Sequence, residues 1–159
     1  MVGGRGAGSG ELAVSDTTPQ PIVLTPAQKQ QIESEGAAAF PNECCGIIYG
    51  GDVDGRRIVG RLEAVENEFE AGEQYHRFSI TGATLMRAEK SCAGGELVLG
   101  FYHSHPDHPA RPSEYDREHA WPFYSYVIVA IHSGKPVDMT CWVLDEVSEQ
   151  FLKQEISLA

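Results

Sequence analysis

The chain contains no run of about 18 consecutive apolar residues, which excludes a membrane-spanning helix. Its first 21 residues, MVGGRGAGSGELAVSDTTPQP, lack the apolar stretch that a secretory signal needs, so a cytoplasmic protein is expected. No Cys-x-x-Cys pair occurs, and Cys44, Cys45, Cys92 and Cys141 do not show the regular spacing of a small secreted disulfide scaffold. They are expected to be reduced and mostly buried. Basic residues are scarce: 12 Lys and Arg stand against 23 Asp and Glu, a net charge of −11. The first 21 residues hold only Arg5, Glu11 and Asp16, so nearly all of the excess falls on the remainder. Such a surface repels phosphate, which argues against nucleic acid and anionic membranes as partners. Internal repeats are also missing.

What is present fits a globular protein, with 42% hydrophobic and 22% charged residues among 159. The expected organisation is a disordered tail over 1–21 and one domain over 22–159. PIVL reads as a short strand, and Thr25 followed by Pro26 opens a helix over about 26–40. CCGIIYGG is a buried strand, DVDG a turn, and RRIVGRLEAVEN the partner strand of a hairpin. Residues 68–76 read as a surface loop. Thr81 caps a second helix that reaches about Cys92 and is ended by Gly94 and Gly95. ELVLGFYHSHP is a buried strand stopped by Pro106, 113–119 a short helix, SYVIVAI and VDMTCWVLDE further strands, and 150–156 a last pairing segment. This order of elements predicts an α/β fold, an α-β-α sandwich around a single mixed sheet.

The segment FYHSHPDHPARPSEYD concentrates the chemistry. Strand alternation turns Leu97, Leu99, Phe101, His103 and His105 to one face and Val98, Tyr102 and Ser104 to the other. His103 and His105 then stand side by side, with Cα atoms roughly 6.5 to 7 Å apart, close enough for both rings to meet one ion. A catalytic zinc site needs a third ligand and an open position. The local candidates are Asp107, His108, Glu114, Asp116 and His119; spacing puts Asp116 first and His119 just behind it. A His-x-His pair on a strand is often incidental, and Ser113 with Asp116 three residues on also reads as a capping box.

The segment HSHPDHPARPSEYD resembles the signature of the JAMM, or MPN-plus, metallopeptidases. The match is His, one residue, His-Pro, seven residues between the second His and a Ser, two residues, then Asp. Upstream, PNECCGIIYG is similar to the segment that carries the family's catalytic glutamate. The resemblance in order of elements runs from Ile22 to the C-terminus. It implies the JAMM/MPN, cytidine-deaminase-like fold, with one Zn²⁺ held by His103, His105 and Asp116. It further implies Glu43 as general base and Ser113 as the group that polarises the substrate carbonyl, with Ser104 and Pro106 shaping the strand end. A two-histidine, one-carboxylate set also suits iron(II).

The implied reaction is amide hydrolysis. Because the chain is close to a minimal domain without a second His and Cys cluster, it resembles the small prokaryotic members associated with ubiquitin-like sulfur carriers. The expected substrate is then such a carrier, trimmed at its C-terminal tail to expose Gly-Gly, with an adenylating enzyme as a conceivable further partner. Two alternatives stand beside this: an isopeptidase removing ubiquitin-like modifiers from lysines, and a noncatalytic MPN-type scaffold. Cys44 and Cys45, next to the proposed base, read as small hydrophobes of a buried strand rather than nucleophiles. His76, His108, His119 and His132 carry no independent case and are expected in surface or satisfied roles, and Trp121, Phe123, Tyr124 and Tyr126 read as core and cleft wall.

Overall fold

The structure, a computed structural model, describes residues 18–67 and 80–159. Most of the expected tail, the expected loop over 68–76 and His76 with it lie outside the described residues. The chain is already tied down at Pro21, whose carbonyl accepts the Arg57 N–H at 2.8 Å.

Strand β1 (Ile22–Leu24) leads into helix α1 (Pro26–Ala39). Pro26 supplies a preset φ, and Thr25 and Gln28 form a reciprocal capping box, which satisfies two of the amides that a helix start leaves orphaned. Strands β2 (Cys45–Val53) and β3 (Arg56–Val65) form the expected hairpin, turned at Asp54 and Gly55, both at positive φ. Helix α2 (Gly82–Ser91) is capped by Thr81 and ends at Cys92, and strand β4 (Leu97–Pro106) follows. Next come helix α3 (Glu114–His119) and strands β5 (Ser125–His132) and β6 (Lys135–Leu144). The expected last segment is two strands, β7 (Phe151–Gln154) and β8 (Ile156–Leu158).

All eight strands belong to one mixed sheet of order β7-β6-β5-β4-β2-β3-β1-β8, an α/β architecture as expected. Strands β4 and β5 are parallel at its centre, and β2 runs antiparallel to β4. Although β7 and β8 occupy opposite ends of this order, only Glu155 separates them in sequence. The sheet therefore curls until its edges meet at Glu155, whose carbonyl accepts the Ile22 N–H at 2.9 Å in line with the β1–β8 pairing. Among the described residues no helix is long and apolar enough to cross a membrane.

The larger core cluster joins Ile32 of α1 to Ile48, Leu99, Tyr102, Val127, Val129 and Ile131. A second, on the other face, joins Ala88 of α2 to Ile47, Val98, Phe101 and Tyr126. Trp121, Tyr124 and Tyr126 surround the Phe101 ring at 5.4 to 5.8 Å, the core role expected of them, whereas Phe123 stays 50% exposed.

These clusters correct the alternation expected along β4. Val98 shares a face with Phe101, and Leu99 lies on the opposite face with Tyr102. The cause is a β-bulge: Ile48 pairs with Gly100 and Tyr49 with Val98, so Leu99 is the extra residue. The apolar residues sharing the histidine face are thus Val98 and Phe101. Leu97, at 38% exposure, and Leu99 are not its floor.

Gly100 fixes how closely β4 approaches β5. A Cβ there would sit 1.8 Å from the Ser125 carbonyl oxygen, a backbone atom that cannot swing aside. Gly100→Ala is expected to lower stability by about 3 kcal/mol, the upper end for overpacking, read as a drop in urea midpoint with unchanged slope.

Candidate active site

The site is built on the register of β2 against β4. Cys45 lies opposite His103, and the pairing continues one step outward through Ser104 N–H to Cys44 carbonyl at 3.2 Å. The Ser104 hydroxyl, fully buried, accepts the Cys44 N–H at 2.9 Å. Glu43 therefore falls opposite His105, on the face that carries both histidines. Across the parallel pair, His103 stands beside Ile128 and His105 beside Ala130, both buried.

Asp116 arrives from α3. The chain reverses after Pro106, and Ser113 caps the helix by accepting the Asp116 N–H at 3.0 Å, while Asp116 Oδ2 accepts the Ser113 N–H at 2.9 Å. The capping box is real, and it aims the carboxylate at the strand end. His105 Nε2 lies 3.2 Å and His103 Nε2 3.4 Å from Asp116 Oδ2, and the two Nε2 atoms are 3.1 Å apart.

This triangle can be tested against a metal. A tetrahedral ion with ligand bonds of 2.0 to 2.1 Å needs donor atoms about 3.3 Å apart, and the three observed edges bracket that value. The chemistry of the donors agrees. His105 Nδ1 is 2.8 Å from the Pro109 carbonyl, which only accepts, so Nδ1 carries a hydrogen and neutral His105 turns a bare Nε2 lone pair to the cluster. Converging acceptors at this spacing are held together only by positive charge between them, a proton or a cation. His103, His105 and Asp116 could hold a metal ion, and among the described residues no other such group exists.

Electrostatics follow the burial. Burial lowers the His103 pKa, favouring the neutral ring that a metal requires. For Asp116 burial works upward, but attraction to His103, hydrogen bonding with His103 and His105 when a proton lies between them and the carboxylate, and the Ser113 amide outweigh it, holding the carboxyl well below the usual range. Glu43, 7% exposed, is pushed up to about 9, first by burial and then by the Asp116 charge. Burial also raises the Cys44 thiol to about 11, so at neutral pH it is no thiolate nucleophile.

A cavity of about 380 Å³ is lined by Glu43, His105, His108, Pro109, Arg111, Ser113, Tyr115 and Asp116. Four of the five predicted site residues border it, and the fifth, His103, lies 1% exposed behind His105. The rival third ligands are elsewhere. Asp107, at φ 57, accepts the Ser133 N–H, Glu114 pairs with Arg117, and His119 donates to the Tyr115 carbonyl with its ring stacked on Tyr115. His108 borders the cavity without joining the cluster, and His132 donates to the His108 carbonyl. Sequence reasoning missed the Pro109 carbonyl that orients His105, for which no side-chain signal exists. It also gave no role to Arg111, although an arginine inside so acidic a chain's histidine motif was a signal.

The family model described as prokaryotic homologs of the JAB domain matches residues 26–145, and the chain belongs to this family. It is 36% identical over 96 residues to a protein named desampylase from Haloferax volcanii, covering 59% of this chain and 67% of that protein. A solution structure of a protein from Desulfitobacterium hafniense superposes with TM-score 0.72 at 30% identity, covering 87% of this chain and 92% of the other. A second, from Salinibacter ruber, gives 0.64 at 34% identity, covering 87% and 91%. The crystal structure of a JAB1/MPN domain protein from Archaeoglobus fulgidus shares the fold, with TM-score 0.52 at 20% identity over 86% and 98% of the two chains.

The raised Glu43 pKa has a definite sign for stability. The folded metal-free protein keeps this proton to about pH 9, whereas the unfolded chain releases it near 4.5. The Glu43 contribution is complete below pH 4.5 and is lost as pH rises to 9. In EDTA, Glu43→Gln is expected to flatten that decline and to be more stable than the parent at pH 8 by a few kcal/mol, since each tenfold difference in proton affinity between the folded and unfolded states is worth about 1.4 kcal/mol. Urea titrations across pH 5 to 9 read it out.

Proposed function

We propose that the protein is a zinc-dependent peptidase whose catalytic domain spans 22–159, acting in the cytoplasm on the C-terminal tail of a ubiquitin-like sulfur-carrier protein. The observation that carries this reading is the convergence of His103, His105 and Asp116 beside a cavity that Glu43 and Ser113 also line.

Zinc, bound by the three converging side chains, would supply Lewis acidity toward the scissile carbonyl and a water acidic near neutral pH. Burial keeps Glu43 protonated in the metal-free protein; with a cation in the triangle offsetting that penalty, Glu43 would ionise, would accept a proton from the attacking water and would deliver it to the departing amine. Ser113 spends its oxygen lone pair on the helix cap and retains its O–H to donate to the carbonyl oxygen as charge develops there. Ile128 and Phe101, buried on the same face, keep the surroundings of the histidines apolar, which strengthens each of these interactions. Ser104 positions rather than reacts, holding the segment that carries Glu43.

A cavity of this size admits a chain end rather than a folded surface, which favours a flexible Gly-Gly tail bound in extended form. Release of the terminal residues would prepare the carrier for an adenylating enzyme. A second reading, removal of a ubiquitin-like modifier from lysine, is favoured by the relative named desampylase.

Incubation with extended carriers and with lysine-linked conjugates, followed by mass measurement, separates the two readings. With zinc bound, the expected result is loss of the C-terminal extension, and an unchanged mass for every substrate would refute both. Glu43→Gln is expected to retain zinc by elemental analysis and to lose ~10² to 10⁴-fold in turnover. Asp116→Asn is expected to lose zinc and turnover together.

A further inference from the structure

Arg111 is the unusual member of the cavity wall. Four other described arginines have structural work: Arg61 pairs with Glu96, Arg87 with Glu63 and Arg117 with Glu114, and Arg57 is buried and donates to Ser125; Arg56, at the start of β3, does not line the cavity. Arg111 is exposed and, among the described residues, pairs with no carboxylate, although the chain carries 23 acidic residues. Its backbone is fixed by a turn, Arg111 N–H donating at 2.8 Å to the same Pro109 whose carbonyl orients His105. The side chain thus starts two residues from a group touching the metal cluster and borders the cavity that Glu43, His105, Ser113 and Asp116 line.

The charges around this cavity are unequal in kind. Asp116 is committed to the two histidines and the Ser113 amide, and Glu43 to the reacting end. Glu114 is held by Arg117. His108 is the other group on this rim able to carry positive charge. Among the described residues the rim offers no anion for Arg111. A guanidinium recognises a carboxylate through two parallel hydrogen bonds, the strongest polar pairing available to it.

We propose that Arg111 is a specificity residue that binds the free α-carboxylate of the residue being released, so the preferred substrate is a chain terminus rather than a lysine branch. This rests on the peptidase reading above and deepens it. In a lysine-linked conjugate the leaving amine belongs to a side chain in mid-chain, and no carboxylate lies one residue beyond the scissile bond. In a C-terminal extension of one residue it always does. Arg111 touches neither the reacting carbonyl nor the metal donors, so its loss should weaken binding and leave the chemical step in place.

The test uses zinc-loaded protein and paired peptides ending in Gly-Gly-Ala, one with a free C-terminal carboxylate and one with a C-terminal amide. Binding is measured calorimetrically on the Glu43→Gln background, so that it is read whether or not the peptides are cleaved. The acid is expected to bind about tenfold more tightly than the amide, in line with a hydrogen bond to a charged group. The preference should vanish in Arg111→Ala and survive in part in Arg111→Lys, with zinc content unchanged in each. In the Glu43-containing protein, Arg111→Ala should raise KM for the acid and leave kcat and the amide kinetics alone. Equal binding of acid and amide to the parent, or an Arg111→Ala defect of the same size for both, would overturn the assignment. Absence of cleavage with the binding preference intact would count against the peptidase reading alone.

Discussion

A pair of hydrogen bonds between Cys44 and Ser104 sets the register on which the site depends. Ser104 gives its amide to the Cys44 carbonyl and its hydroxyl oxygen to the Cys44 amide, closing the end of β2 on the end of β4. A slip of one residue would send Glu43 to the opposite face, away from the histidines, because side chains alternate with a period of two. The small residue between the two histidines is therefore as necessary to the arrangement as they are. Next to it Tyr102 lies across Gly46, where a Cβ would come within 2.1 Å of its ring, and hydrogen-bonds Glu35 of α1 at 2.5 Å. The strand that carries the donors is thereby anchored to the helix behind it.

On that register the electrostatics are mutually dependent. Asp116 stays ionised because the histidines and the start of α3 favour its charge, and the same charge raises Glu43, which burial has already made reluctant to ionise. Two carboxyl groups in one cavity are thus driven to different protonation states, one suited to holding a cation and the other to carrying a proton. A divalent ion in the triangle would reduce the penalty on an ionised Glu43, so metal occupancy and the protonation state of Glu43 would be linked.

Much of this was legible in the sequence, for specific reasons. Thr25-Pro26, Thr81 and Ser113 announce helix starts because side-chain oxygens must satisfy amides that no helix turn can reach. The hairpin and the buried strands follow from apolar runs punctuated by glycine. His103 and His105 could be paired from strand period alone, since no irregularity lies between them. Local spacing did not decide between Asp116 and His119; the capping geometry at Ser113 separates them, turning Asp116 inward and leaving His119 against Tyr115. The side of Leu99 was misread because a bulge leaves no mark in the residue pattern, and Gly100 hints at it only once its closeness to Ser125 is known. Glu43 was beyond local reasoning, because the Cys44–Ser104 pair that places it joins residues 60 apart in sequence, and only family resemblance picked it out.

The joining of the two sheet edges through Glu155 bears on how the molecule comes into being. Strands β2, β4 and β5, with Glu43 and the three side chains that could hold a metal ion, are all synthesised before the segment that seals the seam. The chemistry can therefore be laid down in a sheet that is still open, with the edges of β1 and β6 unprotected until β7 and β8 emerge. Closure is a late long-range event, and a nascent chain stalled short of it would present two bare edges to its neighbours while already carrying the three side chains that could hold an ion.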